Sequence, residues 1–376
     1  MQSDRIFTSE KMWFGAFYIY CLHIVLSMAT EIREGAPWLR VCVAILLIIL
    51  LLPSALKKIK IKNTRLLFIT IILIFFTISA LKGEYRNFLY SLLFLLLVGD
   101  VEYRKIAKAA FLAGFSGLVI VISMYKLGFL HDFINMRGEI ERSSLGFGNV
   151  NILGSVLFGT VLGYCQSKTR LKFFDFAICS VVIIMCFMVN NCRTMLCAAM
   201  AMTLIFLLLR TRIWNLVKRF YAIVFLGYFG AVLLSLCLMA IFDDRIAWMH
   251  ELNDYLSYRL YWGRFYFQSD WFSFFGQFPE KWKETPMDGI GLFLLIRLGF
   301  FAFLFYFIGA YLILKRAVFQ DDRFLVSAIL STFLYSLVES YSLIIFFNLP
   351  MFLIVPDLLK NITFFSNGNK LDVDEK

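Results

Sequence analysis

Charged residues are scarce in this chain of 376 residues, and proline and histidine are scarcer still. Asp, Glu, Lys and Arg make up only 17% of the sequence, with six prolines and three histidines, whereas hydrophobic residues reach 61%. This composition excludes an ordinary soluble globular protein. The apolar runs are continuous rather than alternating, which excludes an outer-membrane β-barrel. The sequence therefore predicts an all-α integral membrane protein, a single domain over 1–376.

Metal-binding patterns are also missing. The eight cysteines include no CxxC pair, and His23, His131 and His250 have no spacing that is typical of a shared metal ion. We expect the cysteines to be small core residues, with Cys192 alone at a membrane edge. The sequence predicts no metal ion and no cofactor.

Apolar runs of spanning length predict eleven or twelve transmembrane helices, since about 20 apolar residues cross the hydrocarbon. The run at 88–98 is short, and the last two runs are separated by almost nothing around Ser342. The runs begin near Met12, Trp38, Leu66, Arg86, Ala107, Asn151, Phe173, Arg193, Phe220, Asp288, Phe324 and Leu343.

Lysine and arginine cluster in alternate loops, which sets the orientation. The segments on one side, both termini included, hold 23 of the 37 basic residues. The positive-inside rule places these segments in the cytoplasm, so the number of spans is even and twelve is predicted. The same bias explains the net charge of +11 without a nucleic-acid partner. The polar tail at 361–376 is then cytoplasmic and is expected to be disordered.

This orientation leaves a long external loop at 243–287, between spans nine and ten. It holds four of the seven tryptophans among closely spaced Tyr and Phe, which is atypical of a free linker. We expect one or two short interfacial helices there, with the rings at headgroup level. A shorter external segment at 126–148 adds Arg137 and Arg142, with Glu139 and Glu141 between them available for pairing.

Arginines on the external half of the bundle are candidate ligands for an anion, because charges at membrane depth are costly and the basic bias otherwise runs inward. Guanidinium groups bind phosphate oxygens bidentately and stay charged when partly desolvated. For any one arginine, a contact with a lipid headgroup or a neighbouring carboxylate is an equal alternative. The four candidates are Arg193 at a helix start, Arg259 and Arg264 in the long loop, and Arg297 about two and a half turns into span ten.

Two carboxylates accompany these arginines. Asp288 directly precedes span ten, where it either stabilises the helix N-terminus or acts as a base in an external cavity. Glu339 lies deep in the sequence of span eleven, where a lone carboxylate must be neutral or paired, and Arg297 is its expected partner. Asn149 and Asn151 belong to a glycine-rich segment that starts span six, a pattern typical of a tight helix start.

Together these motifs resemble those of the Wzy-type polymerases of bacterial surface polysaccharides, relatives of the O-antigen ligases. The resemblance covers most of 146–341. Two helix starts contribute: Gly148-Asn149-Val150-Asn151-Ile152-Leu153-Gly154 is similar to the family's Gly-x-Pro-Asn-x-x-Gly, and Asn191-Cys192-Arg193-Thr194 is similar to its Ser-Arg-Thr. The long loop contributes Ser257-Tyr258-Arg259-Leu260 and Phe274-Phe275-Gly276-Gln277. The last resemblances are Asp288-Gly289 with Leu298-Gly299-Phe300, and Glu339-Ser340.

The chain departs from the family pattern at three positions. Val150 stands in place of a proline, Cys192 in place of a serine and Gly289 where asparagine is common. Ligases usually carry a histidine at the start of the helix after the long loop, where this chain has Asp288. The resemblance therefore favours a polymerase over a ligase.

The resemblance implies a glycosyltransferase of the bacterial cytoplasmic membrane, active in lipopolysaccharide (O-antigen) or capsule synthesis. It would move a growing glycan from undecaprenyl pyrophosphate onto a new lipid-linked repeat unit at the external face. A chain-length regulator and a flippase are implied partners, with membrane lipid around the bundle. Arginines stabilise a departing pyrophosphate without a metal. The resemblance implies that Arg193 and Arg259 bind the pyrophosphate, with Arg264 and Arg297 as supporting cations. It implies that Asp288 is the base and that Glu339 orients an arginine. Asn149 and Asn151 are implied to bind substrate.

Three alternatives stay open. An O-antigen ligase would use the same charges to join finished polymer to a lipid acceptor. A lipid or solute transporter, such as a flippase, would show repeat symmetry and charges near mid-membrane on many helices. A noncatalytic scaffold would use its arginines only to hold lipid headgroups.

Overall fold

The computed structural model describes residues 9–35, 37–58, 63–98, 101–137, 139–168, 171–268, 272–278 and 287–353. Helices account for most of these residues, which confirms the all-α fold class. The tail at 361–376 and part of the long loop at 243–287 lie outside the described residues.

The N-terminal third consists of helices that, apart from the short charged helix Thr30–Gly35, follow apolar runs in the sequence. Pro37 opens the third helix, a position where its missing N–H costs no hydrogen bond. The helices are α1 (Ser9–Leu26), α2 (Thr30–Gly35), α3 (Pro37–Lys58), α4 (Asn63–Lys82), α5 (Arg86–Leu97) and α6 (Tyr103–Lys126).

The segment at 126–148 contains a small β-hairpin that the sequence did not predict. Strand β1 (Asn135–Arg137) pairs antiparallel with β2 (Ile140–Arg142). Asp132 fixes the base of the hairpin, because its carboxylate accepts hydrogen bonds from the backbone N–H groups of Ser144 at 2.8 Å and Leu145 at 3.1 Å. The hairpin leads into the middle of the chain, formed by α7 (Val150–Ser167), α8 (Phe173–Asn190), α9 (Arg193–Leu209) and α10 (Ile213–Ile241).

Two short helices lie in the long loop, α11 (Ala247–Tyr255) and α12 (Arg259–Phe267). The predicted span ten is interrupted: α13 (Ile290–Leu292) continues as a π-helix (Phe293–Leu298) and stops at Gly299, and α14 (Phe300–Phe319) follows. Gly299 has φ of 93°, and a Cβ there would lie 2.6 Å from the Phe274 carbonyl oxygen. The loop at 272–278 therefore packs directly on the break.

The end of the described chain differs from the prediction. Helix α15 (Arg323–Val338) stops before Glu339, and three 3-10 turns follow, at Ser340–Leu343, Ile345–Phe347 and Leu349–Leu353. Over the described residues 343–353 the predicted last span is therefore not an α-helix, and the rest of that span lies outside the described residues. Phe346 and Phe347 are fully buried, and Gly159 on α7 leaves room for both, because a Cβ there would lie 2.8 Å from the Phe346 ring. Packing against α7 replaces the regular helix.

Several helices carry the features of membrane spans. Among the described residues, α6, α7, α10 and α14 are long and apolar enough to cross a membrane. Large apolar side chains also face outward on α3, where Trp38 is 64% and Ile48 67% exposed. Such surfaces suit lipid rather than water, in agreement with a membrane protein.

Contacts between helix ends show which ends of the bundle coincide. The Arg323 guanidinium donates to the Leu209 carbonyl at 3.2 Å, so α15 starts where α9 ends. The Tyr335 hydroxyl donates to the Ser155 hydroxyl at 2.6 Å, so α15 ends where α7 starts. The starts of α7 and α9 and the end of α15 therefore meet at one end of the bundle.

Candidate functional site

A cavity of about 700 Å³ lies at this end of the bundle, beside α11 and α12. It brings together six of the eight candidate residues, Asn149, Asn151, Arg193, Arg259, Asp288 and Glu339. The other lining residues are Thr194, Cys197, Ala198, Ala201, Tyr255, Leu256, Ser257, Trp262, Leu334, Tyr335, Val338 and Tyr341.

The starts of α7 and α9 form one wall of the cavity and are held closely together. Asn149 caps α7, since its side-chain oxygen accepts a hydrogen bond from the Asn151 N–H at 2.9 Å. A Cβ at Gly154 would lie 2.6 Å from the Cys192 sulfur, so the glycine permits this approach. Asn190 is fully buried and accepts from the Cys192 N–H at 3.0 Å while donating to the Val150 carbonyl at 3.4 Å. Asn190 thus connects the two helix starts.

Arg142 contacts the start of α7 and the end of α8 at this wall, a role that the sequence did not reveal. Its side chain is only 4% exposed. The guanidinium donates to the Asn190 carbonyl and to the Asn151 side-chain oxygen, both at 2.9 Å. Its position in a polar loop, directly after Glu141, gave no signal for burial under α7.

Arg193 is the first residue of α9 and is exposed to the cavity. Its guanidinium makes no hydrogen bond or ion pair with any residue in the described part of the chain. A cation without a protein partner, on the wall of a polar cavity, can bind an anion without first breaking an internal contact.

Arg259 differs from Arg193 because two carboxylates contact it. Its Nε lies 3.4 Å from the Asp288 carboxylate and its Nη2 lies 3.4 Å from that of Glu339. Only 17% of the Arg259 side chain and 5% of the Glu339 side chain are exposed, against 37% for Asp288. The expected Arg297–Glu339 pair is wrong, because Glu339 lies just after α15 and reaches Arg259 instead. Asp288 pairs with Arg259, and Gly289 occupies the cap position.

Burial raises the pKa of both carboxyl groups, although both contact the positively charged Arg259. Partial burial raises the pKa of Asp288 above its usual range, and Arg259 opposes the shift. Burial and then the neighbouring Asp288 raise the pKa of Glu339 to about 8, again opposed by Arg259. Near neutral pH the pair therefore keeps a proton, and the two groups titrate as a unit.

Arg264 and Arg297 do not line the cavity. The Arg264 guanidinium contacts the Ala240 carbonyl at the end of α10, where a cation favourably meets the helix dipole. Arg297 donates to the Gly83 carbonyl at 2.7 Å, and its guanidinium lies 3.8 Å from the centre of the Phe278 ring. Both expected supporting cations instead join separate parts of the fold.

Aromatic side chains line the cavity together with the charges. Trp262 and Tyr255 come from the aromatic loop, which the sequence singled out. Tyr335 and Tyr341 were missed, because they follow apolar runs and resemble core residues. Flat rings beside polar groups are suited to binding the apolar faces of sugars.

The arrangement offers a guanidinium with no partner among the described residues, a second guanidinium paired with carboxylates, and a carboxylate pair that exchanges a proton near neutral pH. These groups can bind an anion and move one proton. Among the described residues, no three His, Cys, Asp or Glu side chains are grouped as metal ligands. No protein-family model matches the sequence, and searches of curated proteins and of solved structures found no significant match.

Proposed function

We propose that this protein is a membrane-embedded polysaccharide polymerase. It transfers a growing glycan from undecaprenyl pyrophosphate onto a lipid-linked repeat unit, at the external face of the bacterial cytoplasmic membrane. The proposal includes twelve membrane crossings with both termini in the cytoplasm. The observation that carries it is the convergence of Arg193, Arg259, Asp288 and Glu339 on one cavity at one end of the bundle.

Arg193 and Arg259 bind the pyrophosphate in this proposal. Arg193 is available because it has no described protein partner. When Glu339 is protonated, which its pKa of about 8 allows near neutral pH, Asp288 alone balances Arg259, and Arg193 leaves these four groups with a net positive charge. Two guanidinium groups stabilise the negative charge that develops on the leaving group, and partial burial strengthens this effect.

Asp288 acts as the base in the transfer. The acceptor hydroxyl oxygen forms a bond to the anomeric carbon of the donor sugar as the bond from that carbon to the pyrophosphate oxygen breaks. The electron pair of the broken bond stays on the pyrophosphate, and the hydroxyl proton moves to Asp288. A raised pKa suits this task, and the greater exposure of Asp288 makes it the better candidate of the two carboxylates.

The test compares Arg193→Ala with Arg212→Ala in cells that lack the chromosomal copy. Arg212 is an exposed arginine beyond the opposite end of α9, so it matches the loss of charge without touching the cavity. We expect Arg193→Ala to abolish chain extension at a normal protein level and Arg212→Ala to retain it. Full-length polymer with Arg193→Ala would contradict the assigned role.

Mass spectrometry of lipid-linked intermediates in a deletion strain separates the alternative functions. A missing polymerase leaves single repeat units on the carrier lipid. A missing ligase leaves full chains on the carrier, and a missing flippase leaves repeat units on the cytoplasmic side. Normal polysaccharide in the deletion strain would favour a scaffold.

A further inference from the structure

A second cavity, of about 650 Å³, lies between α1, α3, α4 and α5. The Gly148 N–H donates to the Met28 carbonyl at 3.0 Å, so the end of α1 lies beside the start of α7. The second cavity, which includes His23 near the end of α1 and Arg40 near the start of α3, is therefore at the same end of the bundle as the first. Among the residues that the structure describes, the two cavities share no lining residue.

The chemistry of the second cavity differs from that of the first. The described lining residues include one cation, Arg40, and one carboxylate, Glu84, so their formal charges cancel. Around them are three tyrosines, Tyr20, Tyr85 and Tyr90, with the Asn87 amide. The cavity offers hydrogen-bond donors and acceptors beside flat rings, without the excess positive charge that an anion needs.

One buried polar atom also has no assigned role. The Nδ1 atom of His23 is buried and makes no hydrogen bond within the described part of the chain. A buried polar atom without a partner is costly unless a water or a ligand satisfies it. His23 also lines the cavity, so its imidazole adds a polar ring to the wall.

We propose that this second cavity binds a saccharide, the uncharged glycan part of a lipid-linked substrate. A sugar presents many hydroxyl groups that both donate and accept, and its apolar ring faces pack on aromatic side chains. This inference rests on the proposed function for the identity of the glycan. It adds a glycan site distinct from the pyrophosphate-binding cavity, which lets two lipid-linked substrates be held at once.

The experiment measures binding of oligosaccharides prepared by partial acid hydrolysis of the surface polysaccharide of the cells that make this protein. Binding is measured by microscale thermophoresis on the full chain in nanodiscs. Ala44→Phe places a ring in the second cavity, because Ala44 lines it. Ile45→Phe is the matched control on the same helix, since Ile45 is 53% exposed and does not line the cavity. Asn87→Ala removes one polar group without adding volume.

We expect Ala44→Phe to raise the dissociation constant by about tenfold or more, roughly 1.4 kcal/mol, and Asn87→Ala to raise it less. Ile45→Phe should bind as the wild type does. Absence of binding to the wild type, or equal binding by Ala44→Phe and Ile45→Phe, would overturn the inference. Competition by inorganic pyrophosphate that Ala44→Phe abolishes would also overturn it, because the cavity would then be an anion site. Failure of the proposed function appears separately, as a deletion strain that accumulates no single lipid-linked repeats.

Discussion

Replacing Glu339 by glutamine should change how the stability of the protein depends on pH. The Glu339 carboxyl ordinarily titrates near 4.5, and in the folded protein its pKa is about 8. Between these values the folded state holds a proton that the unfolded state has lost, so the free energy of unfolding falls as pH rises from about 4.5 to about 8. The difference between the two pKa values corresponds to a change of roughly 4 to 5 kcal/mol at most in the free energy of unfolding. Glu339→Gln removes this pH dependence.

The assay is the melting temperature of purified wild type and Glu339→Gln in one detergent, from pH 5 to pH 9. Glutamine keeps the size of the side chain and carries no titrating proton. We expect the wild type to lose roughly 5 °C or more relative to the variant between pH 5 and pH 8. Glu141→Gln is the control, because Glu141 is exposed on the hairpin.

Asp288→Asn provides a second check of the same physical argument. Asp288 is the charged neighbour that raises the pKa of Glu339, so its removal should move the loss of stability to lower pH. Parallel melting curves for the wild type and Glu339→Gln across the whole range would refute the view that Glu339 holds a proton in the folded state.

Three further predictions concern the walls of the first cavity. A membrane-impermeant maleimide added outside intact cells should label Cys197, which is exposed and lines the cavity, but not Cys192, which is 3% exposed. Mass spectrometry that finds Cys197 unlabelled would contradict the external placement. Gly154→Val should destabilise the protein by roughly 1 to 3 kcal/mol, because its side chain meets Cys192 and Met195, and an unchanged melting temperature would refute the close helix contact. Arg142→Met should cost about 3 kcal/mol, since it leaves the Asn190 carbonyl and Asn151 amide without their buried donor, and wild-type thermal stability would argue against this support.

The sequence predicted the helical fold class because apolar runs alone determine it. It also predicted the start of α9 at Arg193 and the importance of the helix starts that hold Asn149 and Asn151. These features depend on local patterns, such as capping residues and glycines, which the sequence displays directly.

The partner of each charge could not be predicted, because pairing depends on how helices pack. Arg297 and Glu339 both occur in apolar sequence and were expected to meet, but Arg297 turns toward the Gly83 carbonyl and Glu339 toward Arg259. Arg142 is the opposite case: a residue in a polar loop becomes buried because α7 and α8 pack over it. The periodicity of the sequence does not indicate which charged residues become buried or which of them pair.

The 3-10 turns after Glu339 lengthen the path that residues 340–353 can cover. A 3-10 helix rises about 2.0 Å per residue against 1.5 Å in an α-helix, so the 14 residues of this path reach at most roughly 28 Å in such turns, against roughly 21 Å in an α-helix. Its far end lies near the last turns of α14, where the Arg316 guanidinium donates to the Leu353 carbonyl at 3.5 Å. Most side chains along it are buried, Phe346 and Phe347 among them, so deletion of a single residue would displace packed rings and would be tolerated far less than deletion from a surface turn.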